Sequence, residues 1–170
     1  MSECCLLFKV HHKKEYEYVY SKLDCIIDVD DIKSLYVHKD NDITKEAVNA
    51  AKIISLLPDG FSDTLNFHMK KLSLATAQLS EASLVSQRTI TRMRSPKSPN
   101  PTVESIVAVS IGMNLYPELS FDMLHKADRE FDFTDPAHIW YMVILRTMYK
   151  ENIAKCNELL YSNGILSFGM

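Results

Sequence analysis

Leu74-Ala-Thr-Ala-Gln-Leu-Ser-Glu-Ala-Ser-Leu-Val-Ser-Gln-Arg-Thr-Ile-Thr-Arg-Met-Arg94 decides how the rest of this chain is read. Small and polar residues surround a few apolar anchors: Leu74, Leu79, Ile90 and Met93. Leu84-Val85 interrupts the helical spacing, and Ser86 stands where a new helix needs a side chain to accept its free N–H groups. The stretch therefore predicts two short helices joined by a tight connector. The first starts near Ser73 and ends near Ser83. The second runs from Gln87 to about Arg94.

Two short helices joined by a three- or four-residue turn are the requirement of a helix-turn-helix. Its second helix must be short and modest in side-chain size to enter the major groove. With Ile90 and Met93 facing the core, Gln87, Arg88, Thr91 and Arg92 project outward and Ser86 stands at the helix start. Gln suits adenine edges, Arg suits guanine edges, and Ser or Thr suits either base or phosphate. A helix start also favours a phosphate. Arg94 and Lys97 lie at the helix end and in the following loop, where backbone contact is the natural role.

Charge is distributed to match. The 170-residue chain carries a net charge of −3, which at first sight disfavours nucleic acid. Residues 1–60 hold 8 Lys/Arg against 11 Asp/Glu, residues 61–101 hold 6 against 2, and residues 102–170 hold 5 against 9. The basic excess is thus confined to the segment that carries the two helices, and a local basic face matters more for DNA than the total. The plain alternative is a solvated surface.

Outward from this segment the pattern is helical after Gly60. Ser62 predicts a helix to about Lys71. Pro96, Pro99 and Pro101 stop the second short helix. Thr102 then caps a helix to about Leu115 that is apolar nearly all round, as a buried central helix is. Tyr116-Pro117 ends it, and Ser120 caps another to about Ala127. Asp135-Pro136 is a cap with proline at the first helical position, predicting a helix to about Lys150. Asn152 opens a last helix that Asn163-Gly164 closes. The last two helices form a hairpin.

Upstream, a helix is expected over about 45–57. Tyr16-Glu-Tyr-Val-Tyr20, Cys25-Ile-Ile-Asp-Val29 and Leu35-Tyr-Val37 read as short strands. The resulting fold class is mainly α. A helix-turn-helix domain over 61–127 is flanked by a mixed region over 1–60 and a helical hairpin over 128–170.

Residues 72–119 resemble the Cro/cI-type (XRE family) helix-turn-helix domains, whose fold is lambda-repressor-like. The resemblance rests on Leu79-Ser-Glu-Ala82, Val85-Ser86 and Thr89-Ile-Thr-Arg-Met93. It continues through Thr102-Val-Glu-Ser-Ile106, Val107-Ala-Val109, Gly112-Met-Asn-Leu115 and Pro117-Glu118. It implies sequence-specific binding of double-stranded DNA in transcription regulation. Ser86, Gln87, Arg88 and Thr91 would contact bases, and Arg92, Arg94 and Lys97 phosphates. It also implies a homodimer reading paired half-sites, and the apolar width of the C-terminal hairpin makes that hairpin the expected contact. Two positions depart: Ser80 replaces the family's alanine, and Leu84 replaces its turn glycine. A left-handed leucine costs about 1–2 kcal/mol. Either the turn is rebuilt, or the domain has drifted towards a protein–protein interaction module with a degenerate helix-turn-helix. The family's threonine cap falls on Ala75.

Other chemistry is sparse. Cys4, Cys5, Cys25 and Cys156 make no C-x-x-C pair and complete no zinc set. His11-His12 with Glu15 and Glu17 lacks a second ligand pair at helical spacing. Asp28, Asp30 and Asp31 lack the regular pattern of a calcium loop. Four glycines, no phosphate loop and no G-x-S-x-G argue against an enzyme, a cofactor or a small-molecule substrate. No apolar run reaches the roughly 20 residues of a membrane helix. The N-terminal order, apolar before basic, is wrong for a signal peptide, so a cytoplasmic protein is expected.

Overall fold

The computed structural model describes Tyr36 and residues 43–97 and 101–169. These belong to one compact unit spanning Ile32–Met170. Eight helices lie among the described residues: α1 Ile43–Ile54, α2 Phe61–Lys71, α3 Thr76–Ser83, α4 Gln87–Met93, α5 Val103–Gly112, α6 Pro117–Lys126, α7 Pro136–Thr147 and α8 Ile153–Ser162. The divisions expected at 60/61 and 127/128 fall in loops inside this unit. The strands expected over 16–20 and 25–29 lie outside the described residues. In the third stretch only Tyr36 is described, and it sits in a turn.

The core is organised around α5, where Val103 and every residue from Ile106 to Ile111 are buried. Helices α3, α6, α7 and α8 all pack against it, while α1 and α2 pack on α6. Leu79 of α3 and Ile90 of α4 have no exposed surface. Burial of such a side chain stabilises by about 1.5–3 kcal/mol. Gly112 marks a close crossing of α5 with α3. A Cβ there would lie 2.9 Å from Ser83 Cβ and 3.1 Å from the Ser83 backbone nitrogen.

Several helix boundaries differ from the sequence-based expectation, each for a local reason. Helix α2 starts at Phe61, and Ser62 is already inside it, its hydroxyl donated to Ser95 O at 3.1 Å. Ser73 does not cap α3. It takes a left-handed backbone (φ 57) that closes α2, with Leu74 N–H bonded back to Met69 O. The α3 cap position is Ala75, whose N–H is satisfied by Gln78 Oε1 at 2.8 Å. Pro117 starts α6 rather than ending α5, because the first helical position needs no N–H. The chain leaves α5 through a left-handed Asn114 (φ 49). Ser120, expected as a cap, is buried within α6 and bonded to Tyr116 O. Asp135 and Thr102 cap as the sequence predicts, and Asn152, where the last helix is expected to begin, caps α8.

The outer elements are tied by a few polar contacts. Glu46 of α1 accepts from both Tyr149 and Lys150, beyond the end of α7. Buried His68 of α2 shares a 2.6 Å hydrogen bond with Tyr36 through Nδ1. Its burial pushes the imidazole pKa down to about 3, with Lys126 adding to the effect. His68 is therefore neutral at neutral pH. No helix among the described residues is long and apolar enough to cross a membrane.

Candidate nucleic-acid interface

The connector between α3 and α4 is residues 84–86. It is not rebuilt to avoid a left-handed leucine: Leu84 has φ 59 and ψ 9 and is itself the residue that closes α3. The Ser80 hydroxyl, at the position where the resembling family has alanine, donates to Val85 O at 2.7 Å. The Val85 N–H in turn reaches Ser83 Oγ at 3.3 Å. Two serines on the last turns of α3 thus satisfy the backbone that the sharp change of direction frees.

Helix α4 then begins with a full cap. Ser86 Oγ accepts from Thr89 N at 3.1 Å and lies 2.9 Å from Thr89 Oγ1. A cap of this kind contributes about 1 kcal/mol. Ile90 and Met93 turn inward, as their spacing predicts. Ser86, Gln87, Arg88, Thr91 and Arg92 are all exposed. The Thr91 hydroxyl is engaged with Gln87 O at 2.8 Å, so what it presents outward is mainly its methyl group. Neither Arg88 nor Arg92 forms an ion pair among the described residues. Lys97 is exposed in the loop beyond.

Arg94 stands apart. Its Nε donates to Asn66 Oδ1 and its Nη1 to Thr76 Oγ1, both at 2.7 Å. Asn66 returns a bond to Arg94 O at 3.0 Å. Arg94 thereby rivets the end of α4 to α2 and to the start of α3. Two faces of its guanidinium fork are spent on this brace. Asn66, Thr76 and Ser62 were not marked by the sequence, because the contacts join residues 18 to 33 positions apart.

The outward side of α4 therefore offers two unpaired guanidinium groups, one amide and a capped helix start, on a helix held rigidly at both ends. Such a surface can reach base edges and phosphates together. Among the described residues no group of three or more His, Cys, Asp or Glu is placed to hold a metal ion. No family model, no curated protein and no solved structure matches this chain.

Proposed function

We propose that the chain binds double-stranded DNA in sequence-specific fashion through α4, as a cytoplasmic regulator of transcription whose α3–α4 pair is a lambda-repressor-like helix-turn-helix. The observation that carries this reading is the outward face of α4, with Arg88 and Arg92 both exposed and outside any ion pair among the described residues. In this reading Ser86, Gln87, Arg88 and Thr91 meet bases, while Arg92 and Lys97 meet phosphates. Arg94 acts indirectly, by fixing the angle of the helix it ends. Phosphate contacts supply most of the affinity and its salt dependence.

A second reading has its own support. Leu84 is 46% exposed at the turn, an apolar residue where a DNA-facing turn gains nothing from one. It favours a protein–protein interaction module.

Titration of mixed-sequence duplex DNA across a salt series separates the two. For DNA binding, the wild-type chain binds at about micromolar or better at low salt and loosens steeply as salt rises. The Arg88→Ala/Arg92→Ala variant binds more weakly, with the log–log salt slope shallower by about 2 if both residues meet phosphate, or by about 1 if one reads a base. A folded wild-type chain that ignores duplex at low salt turns the assignment to a protein partner.

A further inference from the structure

The left-handed Leu84 is gripped from outside the helix pair. After α8 the chain reverses at Gly164 (φ 73), with Ile165 N–H bonded to Leu160 O at 3.0 Å. The final residues then run back as a strap. Asn157 of α8 holds this strap with both ends of its side-chain amide. Its Oδ1 accepts from Phe168 N at 2.8 Å, and its Nδ2 donates to Phe168 O at 3.2 Å. The Phe168 ring is 2% exposed and stacks on Tyr141 of α7, with centroids 5.1 Å apart. These contacts deliver Gly169 against the turn. A Cβ on Gly169 would lie 2.8 Å from Leu84 Cβ and 3.2 Å from Leu84 O. Gly169 also has a φ of 84, which suits glycine and strains any other residue.

We infer that the strap 167–169 is a positioning element for α4. By packing on the Leu84 backbone and Cβ, it locks the turn and with it the direction in which α4 leaves α3. Leucine at a left-handed position is strained, and such residues persist only where the surroundings over-determine them. Here the surroundings are Gly112 of α5 beneath the turn, against Ser83, and Gly169 beside it, against Leu84. The C-terminal hairpin, far along the sequence, thereby becomes part of the recognition apparatus. Phe168, Gly169 and Asn157 are positioning residues that act through Leu84. The link to DNA affinity rests on the reading of α4 as a DNA-binding helix, whereas the locking of the turn does not.

The test uses the full chain and four forms of it: wild type, Gly169→Ala, Leu84→Gly, and the double variant. Amide exchange over the turn and the first residues of α4 is read by mass spectrometry well below each form's melting temperature. Duplex DNA binding is measured on the same samples. Gly169→Ala is expected to speed turn exchange by about tenfold or more while exchange in α5 and α6 stays at the wild-type rate. Duplex affinity falls by roughly threefold to tenfold, because a site loosened by its support loses contacts without losing groups. The double variant moves both part of the way back to wild type. Glycine at 84 removes the Cβ that the methyl group at 169 would strike, and the turn no longer needs the strap, while the close approach to the residue-84 carbonyl and the strain of alanine at φ 84 remain.

A folded Gly169→Ala chain with wild-type turn exchange overturns the inference. Faster exchange with unchanged affinity in a wild type that binds duplex overturns the positioning role. Faster exchange in a wild type that binds no duplex supports the lock and removes the DNA reading instead. Rescue in the double variant larger than the change Leu84→Gly makes in the wild-type background is the outcome that simple loss of stability does not produce.

Discussion

Four non-glycine residues among those described take left-handed backbone geometry: Ser73, Leu84, Asn114 and Asp128. The turn after α5 and the turn after α3 make the sharpest contrast. At the first, Asn114 N–H bonds to Ile111 O and Leu115 N–H reaches back to Ser110 O, so the backbone of the turn is bonded into the helix it closes. Asparagine also tolerates the left-handed region better than most residues. Ser73 and Asp128 follow the same scheme, with Leu74 N–H on Met69 O and Arg129 N–H on Leu124 O. At the second turn the left-handed residue is a leucine. Its neighbours are satisfied by the side chains of Ser80 and Ser83, and two glycines close in on the turn, Gly169 against Leu84 itself and Gly112 of α5 against the preceding Ser83. Three turns thus bond their backbone back into the helix they close, and at the fourth side chains and tertiary packing take that part. The fourth carries the candidate interface, so substitutions remote from α4 in sequence should be felt there most.

The largest effect that sharpens this contrast is expected at Gly112. An alanine there puts Cβ at 2.9 Å from Ser83 Cβ and 3.2 Å from the Ala82 carbonyl carbon, neither of which is the free end of a side chain. Helices α3 and α5 must move apart, and overpacking of this kind costs about 2–3 kcal/mol. At Gly60 an added Cβ meets only Asp63 Oδ2, at 3.5 Å. Gly60→Ala should stay within about 0.5 kcal/mol of wild type. Urea denaturation of both variants measures the difference, and equal stabilities would mean that the crossing is soft.

Acid should break the contrast from the other side, at the end of α2. The His68 backbone carbonyl accepts the Leu72 N–H at the end of α2, and its imidazole is neutral because burial lowers the pKa to about 3. The unfolded chain binds a proton at this residue below about pH 6.5, while the folded chain does not until about pH 3. Stability is therefore full above about pH 6.5 and is lost as pH falls through that window. By pH 5 the loss is about 2 kcal/mol, at about 1.4 kcal/mol per unit. Denaturation midpoints from pH 7 to 5 check this. His68→Leu should flatten the slope whatever its absolute stability. A slope unchanged by that substitution assigns the acid response to other groups.

How much of this was legible follows from the same division. Thr102, Ser86, Asp135 and Asn152 announce their helices because a cap is read within four residues, and α5 announces its burial by being apolar all round. The outward and inward faces of α4 were legible because two apolar anchors three residues apart fix a helix's rotation. Ser73 and Ser120 misled because a serine near a helix start resembles a cap whether it closes the previous helix, as Ser73 does, or sits inside the next, as Ser120 does. The inward turn of Arg94 and the strap on Leu84 had no local signal. Both depend on partners brought in from elsewhere, Asn66 and Thr76 for one and the last residues of the chain for the other.

The smallest prediction is the most direct comparison of the two turns, because it makes the same substitution in each. Leu84→Gly removes a left-handed strain of about 1–2 kcal/mol. Against that gain stand about 0.5–1 kcal/mol of extra unfolded-state entropy and the contacts of a side chain already 46% exposed. The net effect should be a gain of up to about 0.5 kcal/mol. Asn114→Gly removes little strain, since asparagine already accepts the geometry, yet carries the same entropy cost and also deletes the interactions of the asparagine side chain. It should lose about 0.5 kcal/mol. Opposite signs, separated by about 1 kcal/mol in paired denaturation curves, would show that packing holds Leu84 where its own preferences do not. If both variants lose stability equally, the leucine is not strained, and the two glycines that face its turn are filling space rather than holding it.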